Sequence, residues 1–104
     1  MKLLVLLFSL LASPALAYNV VASFYGAGEK LSSHTANGDR FNPMAMTAAH
    51  RTLPFGTVLH VCHKRCVNVK ITDRGPFVAG RSLDLSYGAA KRIGLVSTGI
   101  VRIN

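Results

Sequence analysis

A small, mainly β domain with one helix is the fold class this sequence predicts, and three observations lead to it. Short β-branched and aromatic runs recur between turns rich in Gly, Pro and Asn. One segment alone, Tyr87–Ile93, carries helix signals at both ends. Once an export leader is set aside, 87 of the 104 residues remain, enough for a single small core. Short strands with such turns suit a barrel and a sandwich equally.

The leader is read from the first residues. Met1-Lys2 is basic, Leu3 to Ala12 is apolar but too short to span a bilayer, and Pro14-Ala15-Leu16-Ala17 offers a small-residue cut. The expected division is therefore a signal peptide, 1–17, and one domain, 18–104. No cysteine follows the cut, so no stable membrane anchor is expected, and the destination is the bacterial periplasm or the medium. Losing Lys2 leaves 11 of the 12 basic residues against four acids, a net charge of +7 with neutral histidines. That excess favours an anionic partner. Export argues against nucleic acid and for an anionic polymer of the cell envelope.

Asn19–Tyr25 reads as the first strand, ended by Gly26-Ala27-Gly28. Lys30 to Gly38 is a polar loop, long for so small a domain, and long loops in compact domains are often functional. Asn42 and Pro43 are suited to start a helical turn over Pro43–Met46. Thr57–Cys62 alternates as a strand, and Cys66–Thr72 is its hairpin partner. Cys62 and Cys66 flank His63-Lys64-Arg65, which predicts a hairpin tip pinned by a disulfide in an oxidising compartment. The rival is a metal site of His60, Cys62, His63 and Cys66, four ligands crowded into one hairpin where zinc usually takes pairs from separate segments. The expectation is no metal and no cofactor. Ser82–Ser86 is a short extended piece. Ser86 is the expected N-cap of Tyr87–Ile93, Lys91 and Arg92 suit the helix dipole, and Gly94 follows as the C′ residue. Ile100–Ile103 is the last strand.

Chemistry centres on Ile71-Thr72-Asp73-Arg74-Gly75-Pro76-Phe77. Here a β run delivers an acid to a tight turn, in a chain whose only acids are Glu29, Asp39, Asp73 and Asp84. Asp is also favoured in turns for its hydrogen bonds to the backbone, so turn-capping and chemistry are both open for Asp73.

Five motifs in order carry a resemblance. They are Ala22-Ser23-Phe24-Tyr25-Gly26, Thr35-Ala36-Asn37-Gly38-Asp39-Arg40-Phe41, the run from Met46 to Thr57 around His50, Asp73-Arg74-Gly75-Pro76-Phe77, and Leu83-Asp84-Leu85-Ser86. Together they resemble the rare lipoprotein A (RlpA) family, from about Val20 to Ile103. The resemblance implies a six-stranded double-psi β-barrel with one or two short helices. It also implies a lytic transglycosylase that cuts peptidoglycan glycan strands, favouring those stripped of peptide stems, between N-acetylmuramic acid and N-acetylglucosamine, leaving 1,6-anhydro ends; a monomer is expected. The family's catalytic Asp, His and Glu fall on Asp73, His50 and Asp39. Position 39 thus departs from the usual Glu, and its side chain is one methylene shorter. Asp84, Tyr25, Arg74, Phe77 and Arg51 are the candidate substrate-binding residues beside these motifs. Tyr25 and Phe77 suit the core equally, Arg74 and Arg51 suit holding the acids as well as the substrate, and Asp84 also suits supporting the helix start near Ser86. The alternative is a non-catalytic, expansin-like module that binds or loosens wall polysaccharide. A protein-binding, barwin-type domain is a third reading.

Overall fold

The computed structural model describes residues 17–28 and 32–104. The expected leader lies outside the described residues except for Ala17, as does Glu29. Six strands form: β1 (Tyr18–Tyr25), β2 (Thr47–Ala49), β3 (Val58–Cys62), β4 (Cys66–Asp73), β5 (Leu83–Ser86) and β6 (Gly99–Ile103), with one helix, α1 (Tyr87–Ile93). They close into a barrel in the order β1-β5-β2-β4-β3-β6, with β6 returning to β1. Closure decides between barrel and sandwich. Two pairings, β1 with β5 and β2 with β4, are parallel, and the other four are antiparallel. The result is the double-psi β-barrel. Among the described residues no helix is long and apolar enough to cross a membrane.

Alternation explains the core. Val69 and Ile71 of β4 are fully buried, while Asn68 and Lys70, which alternate with them, face out. Val61, Leu83, Leu85, Val101 and Ile103 join them, and Ala89, Ala90 and Ile93 of α1 close the core. Each large aliphatic side chain there contributes ~1.5–3 kcal/mol by leaving water.

The ends of α1 are satisfied as the sequence predicts. Ser86 Oγ accepts the Ala89 N–H at 3.1 Å, and Gly94, in the left-handed region at φ 79°, donates to the helix end. The hairpin tip completes that end. Lys64 and Arg65 N–H groups donate to the Ile93 carbonyl at 3.0 and 3.2 Å, and Arg65 Nε donates to that of Arg92 at 2.8 Å. These last carbonyls would otherwise lack partners. The tip is closed by the Cys62–Cys66 disulfide, whose residues sit opposite each other in the β3–β4 register. Both sulfurs are thereby removed from the rival metal set.

Pro43–Met46 forms a turn and not a helical segment. Asn42 Oδ1 accepts the Met44 N–H at 3.0 Å, and the Asn42 carbonyl accepts from Ala45 at 3.1 Å. The chain is then drawn into the barrel, since Lys70 N–H donates to the Met46 carbonyl and Thr47 pairs with Lys70. Tertiary pairing thus overrides the local helical start. Strand β2 itself, with its two small alanines, is buried between β4 and β5.

Candidate active site

The site is assembled at the end of β4. Asp73 is its last residue, and Gly75 follows at φ 122°, a backbone region that favours glycine. The Gly75–Pro76 bond is cis. Asp73 Oδ1 accepts two backbone N–H bonds, from Arg74 at 2.9 Å and from Ala36 at 3.1 Å. The first is the turn cap expected of an Asp. The second crosses to the 35–39 loop and docks it on the barrel, together with Asn37 N–H to the Thr72 carbonyl at 3.1 Å. Among the described residues Oδ2 takes no hydrogen bond, so one oxygen holds structure and the other is open for chemistry.

The docked loop positions Asp39. Thr35 and Asp39 close a tight turn, Thr35 N–H to the Asp39 carbonyl at 2.9 Å, and Asn37 Oδ1 accepts the Asp39 N–H at 3.0 Å. The Asp39 carboxylate is half exposed. Its Oδ2 accepts from Asn37 Nδ2 at 2.9 Å and faces Lys70 Nζ at 3.6 Å.

His50 follows β2, and its N–H donates to the Asp73 carbonyl at 3.1 Å. Its ring Nδ1 accepts two backbone N–H bonds, from Thr52 at 3.1 Å and Leu53 at 3.0 Å. A nitrogen accepting from two donors carries no proton, so the neutral ring has its N–H at Nε2. Partial burial, then the positive charges of Arg51 and Arg74, lower the pKa of His50 from the usual histidine value. Geometry and charge therefore agree on a neutral imidazole.

The two arginines brace loops. Arg74 Nη1 donates to the carbonyls of His50 at 3.1 Å and Leu53 at 2.8 Å, and its guanidinium lies 3.9 Å over the Phe55 ring. Arg51 Nη1 donates to Pro76 at 3.0 Å and Arg81 at 2.7 Å. Phe77, in the turn that Arg51 holds, is 79% exposed.

Asp84 lies on β5 between Ser23 of β1 and Ala49 of β2 in the sheet register. Its Oδ1 accepts from Ser23 Oγ at 2.9 Å. The helix start beyond it is capped by Ser86. Tyr25, at the end of β1, stacks on Phe41 at 5.6 Å. Its hydroxyl is buried and, among the described residues, takes no hydrogen bond of good geometry, although Thr47 is near enough to favour the ionised form slightly. Burial, then the charges of Asp73 and Asp84, push the Tyr25 pKa up to about 12. The Tyr25 hydroxyl thus senses both carboxylates. Asp73 ends β4, His50 follows β2, Asp84 pairs with Ala49 of β2 and Tyr25 senses both carboxylates, while the Asp39 carboxylate, on the docked loop, faces Lys70.

Sequence reasoning left out the wall next to Asp39. A cavity of about 290 Å³ is lined by Asp39, Phe41, Thr47, Lys70 and Thr72, among others. The alternation of β4, which sends Lys70 and Thr72 away from the core, is the signal that points to it. A larger cavity of about 460 Å³ lies at the hairpin tip, between Phe24, Tyr87, Lys64 and Lys91. It holds none of the acids and sits at the start of β4, roughly 25 Å of strand from Asp73.

Comparison with known proteins identifies the family. Residues 17–104 match the family model described as lytic transglycolase. The chain is 49% identical to the probable endolytic peptidoglycan transglycosylase RlpA of Nostoc sp., over 88% of this chain and 26% of that protein. It is 46% identical to the endolytic peptidoglycan transglycosylase RlpA of Campylobacter jejuni, over 76% of this chain and 30% of that protein. The chain thus spans about a quarter to a third of the curated relatives it matches. Among solved structures, the Streptomyces papain inhibitor shares the fold, with a TM-score of 0.61 at 15% identity over 85% of this chain and 93% of that one. This chain belongs to the lytic transglycolase family, as an RlpA-like double-psi β-barrel domain.

Proposed function

We propose that this domain is an endolytic peptidoglycan lytic transglycosylase. It cleaves the bond from N-acetylmuramic acid to N-acetylglucosamine in peptide-stripped glycan strands and leaves 1,6-anhydro ends. The observation that carries the reading is Asp73, fixed through one carboxylate oxygen and open at the other, beside a neutral His50. Family membership and the relatives' names support it.

Asp73 in its acid form donates a proton to the glycosidic oxygen as the C1–O bond breaks. The C6 hydroxyl of the same muramic sugar attacks C1, and its proton passes to the Asp73 carboxylate. No water is consumed, and Asp73 ends as it began. The positive charge developing at C1 is stabilised by the Asp39 carboxylate. The Nε2–H of His50 orients a sugar oxygen. Asp84 and Tyr25 form the side of the groove, and Arg51 and Arg74 hold the loops that bound it. Phe77 offers an exposed ring for sugar stacking. The domain acts as a monomer, exported to the periplasm or beyond, on an anionic polymer that its basic charge attracts.

A second reading, non-covalent binding or loosening of the wall, is favoured by one feature. Asp39 is already engaged by Asn37 and Lys70, on a side chain shorter than the family's usual Glu. Digestion of peptide-free glycan strands, with mass spectrometry of the products, separates the two. Anhydro ends that vanish in Asp73→Asn are expected. Their absence across the pH range, with the protein still pelleting with sacculi, would establish the second reading.

A further inference from the structure

We infer that the cavity beside Asp39 is a binding subsite for one sugar unit, and that the Thr72 hydroxyl sets its specificity. The inference takes the glycan from the proposed function but does not need bond cleavage.

The starting observation is a hydroxyl without a partner. Thr72 is 2% exposed, and its Oγ1 has no hydrogen-bond partner among the described residues. Its neighbour Ile71 is fully buried in the core, so alternation places Thr72 on the opposite face with Lys70. Both line the cavity of about 290 Å³. The loop that carries Asp39 is docked over the same strand through Asn37 N–H to the Thr72 carbonyl. A buried hydroxyl with no partner destabilises a fold, whereas valine fills the same volume without that cost. The free protein therefore gives no reason for a hydroxyl here, and a ligand in the cavity does. The Tyr25 ring stacks on Phe41 and its hydroxyl lies by Thr47, both of which line the cavity.

The charges indicate what the hydroxyl reads. Lys70 and Asp39 answer each other at 3.6 Å, so among the described β4 residues of the wall the unengaged group is the neutral Thr72 hydroxyl. It suits a neutral hydroxyl or amide on a sugar ring. Arg40, also in the lining, accommodates an anionic substituent elsewhere on that ring. The volume is small for a ligand cavity, which fits one ring and not a run of them.

The test compares wild type, Thr72→Val and Thr72→Ser. Affinity for peptide-free glycan strands is measured by calorimetry, Tm by thermal melting, and KM and kcat by release of anhydro products. Thr72→Val is expected to melt at or above wild type and to bind about tenfold more weakly, the effect of one lost neutral hydrogen bond. It raises KM more than it lowers kcat, and Thr72→Ser restores binding. Equal affinity in wild type and Thr72→Val overturns the subsite and leaves the enzymatic reading standing. Weaker binding by Thr72→Val, with no cleavage by wild type, supports the subsite and removes the enzymatic reading. A Thr72→Val that melts far below wild type, or a Thr72→Ser that binds as weakly as it does, overturns the subsite.

Discussion

The N–H of His50 donates to the carbonyl of Asp73 at 3.1 Å, joining two residues that are distant in the chain but adjacent where β2 and β4 end. The link fixes the spacing of two polar side chains through the main chain, so neither can be displaced without moving a barrel strand. It also separates the structural duty of each residue from the chemistry proposed for it. The backbone of Asp73 holds His50, its Oδ1 holds the turn and the 35–39 loop, and its Oδ2 takes no hydrogen bond among the described residues.

That division makes Asp73 testable in two ways. Asp73→Asn keeps an oxygen to accept the Ala36 and Arg74 N–H bonds, so its Tm should stay near wild type. Cleavage should fall by ~10²–10⁴-fold, the usual worth of a general acid. Asp73→Ala orphans both N–H groups and should in addition lose ~1–3 kcal/mol in denaturant unfolding.

His50→Asn and His50→Ala should differ in the same manner. An Asn oxygen can replace Nδ1 as acceptor for Thr52 and Leu53, whereas Ala cannot. Both variants lose the Nε2–H, so both should lose activity, but only His50→Ala should melt clearly lower.

The lowered pKa of His50 gives a pH dependence of defined sign. The unfolded chain takes up the proton more readily than the folded one, so the contribution to stability is full above the ordinary histidine pKa of ~6.5. It is lost as pH falls from there through the folded pKa. Denaturant melts of wild type should weaken over that window, and His50→Asn should remove this part of the slope.

Asp39→Glu restores the reach of the usual family side chain. If Asp39 stabilises developing charge, the extra methylene should raise kcat, since misplacement on the scale of an ångström can cost ~10²-fold. A decrease in kcat, measured as anhydro-product release, would indicate that the Asn37 and Lys70 contacts already hold the shorter side chain where it acts.

Gly88→Ala should destabilise the domain although it lies in a helix, where alanine is ~1 kcal/mol better. A Cβ there would sit 2.5 Å from the Met44 carbonyl oxygen, a main-chain atom that cannot step aside cheaply. A lower Tm than wild type is the expected result.

Local pattern made much of this protein legible. The strands at β1, β3, β4 and β6 and the helix between Ser86 and Gly94 follow from alternation and capping, because these signals lie within a few neighbouring residues. The motifs around Asp39, His50, Asp73 and Asp84 name the polar residues of the candidate site. Other features depend on partners far along the chain. Strand β2 is three residues with two alanines, and it exists because β4 and β5 flank it. The choice of barrel over sandwich required β6 to find β1 and β3. The duties of Arg51 and Arg74 as loop braces, the tautomer of His50 and the cavity beneath the 35–39 loop were likewise decided by tertiary structure. Each rests on a hydrogen bond or a packed face whose two sides are separated in sequence, and spacing along one chain does not encode that distance.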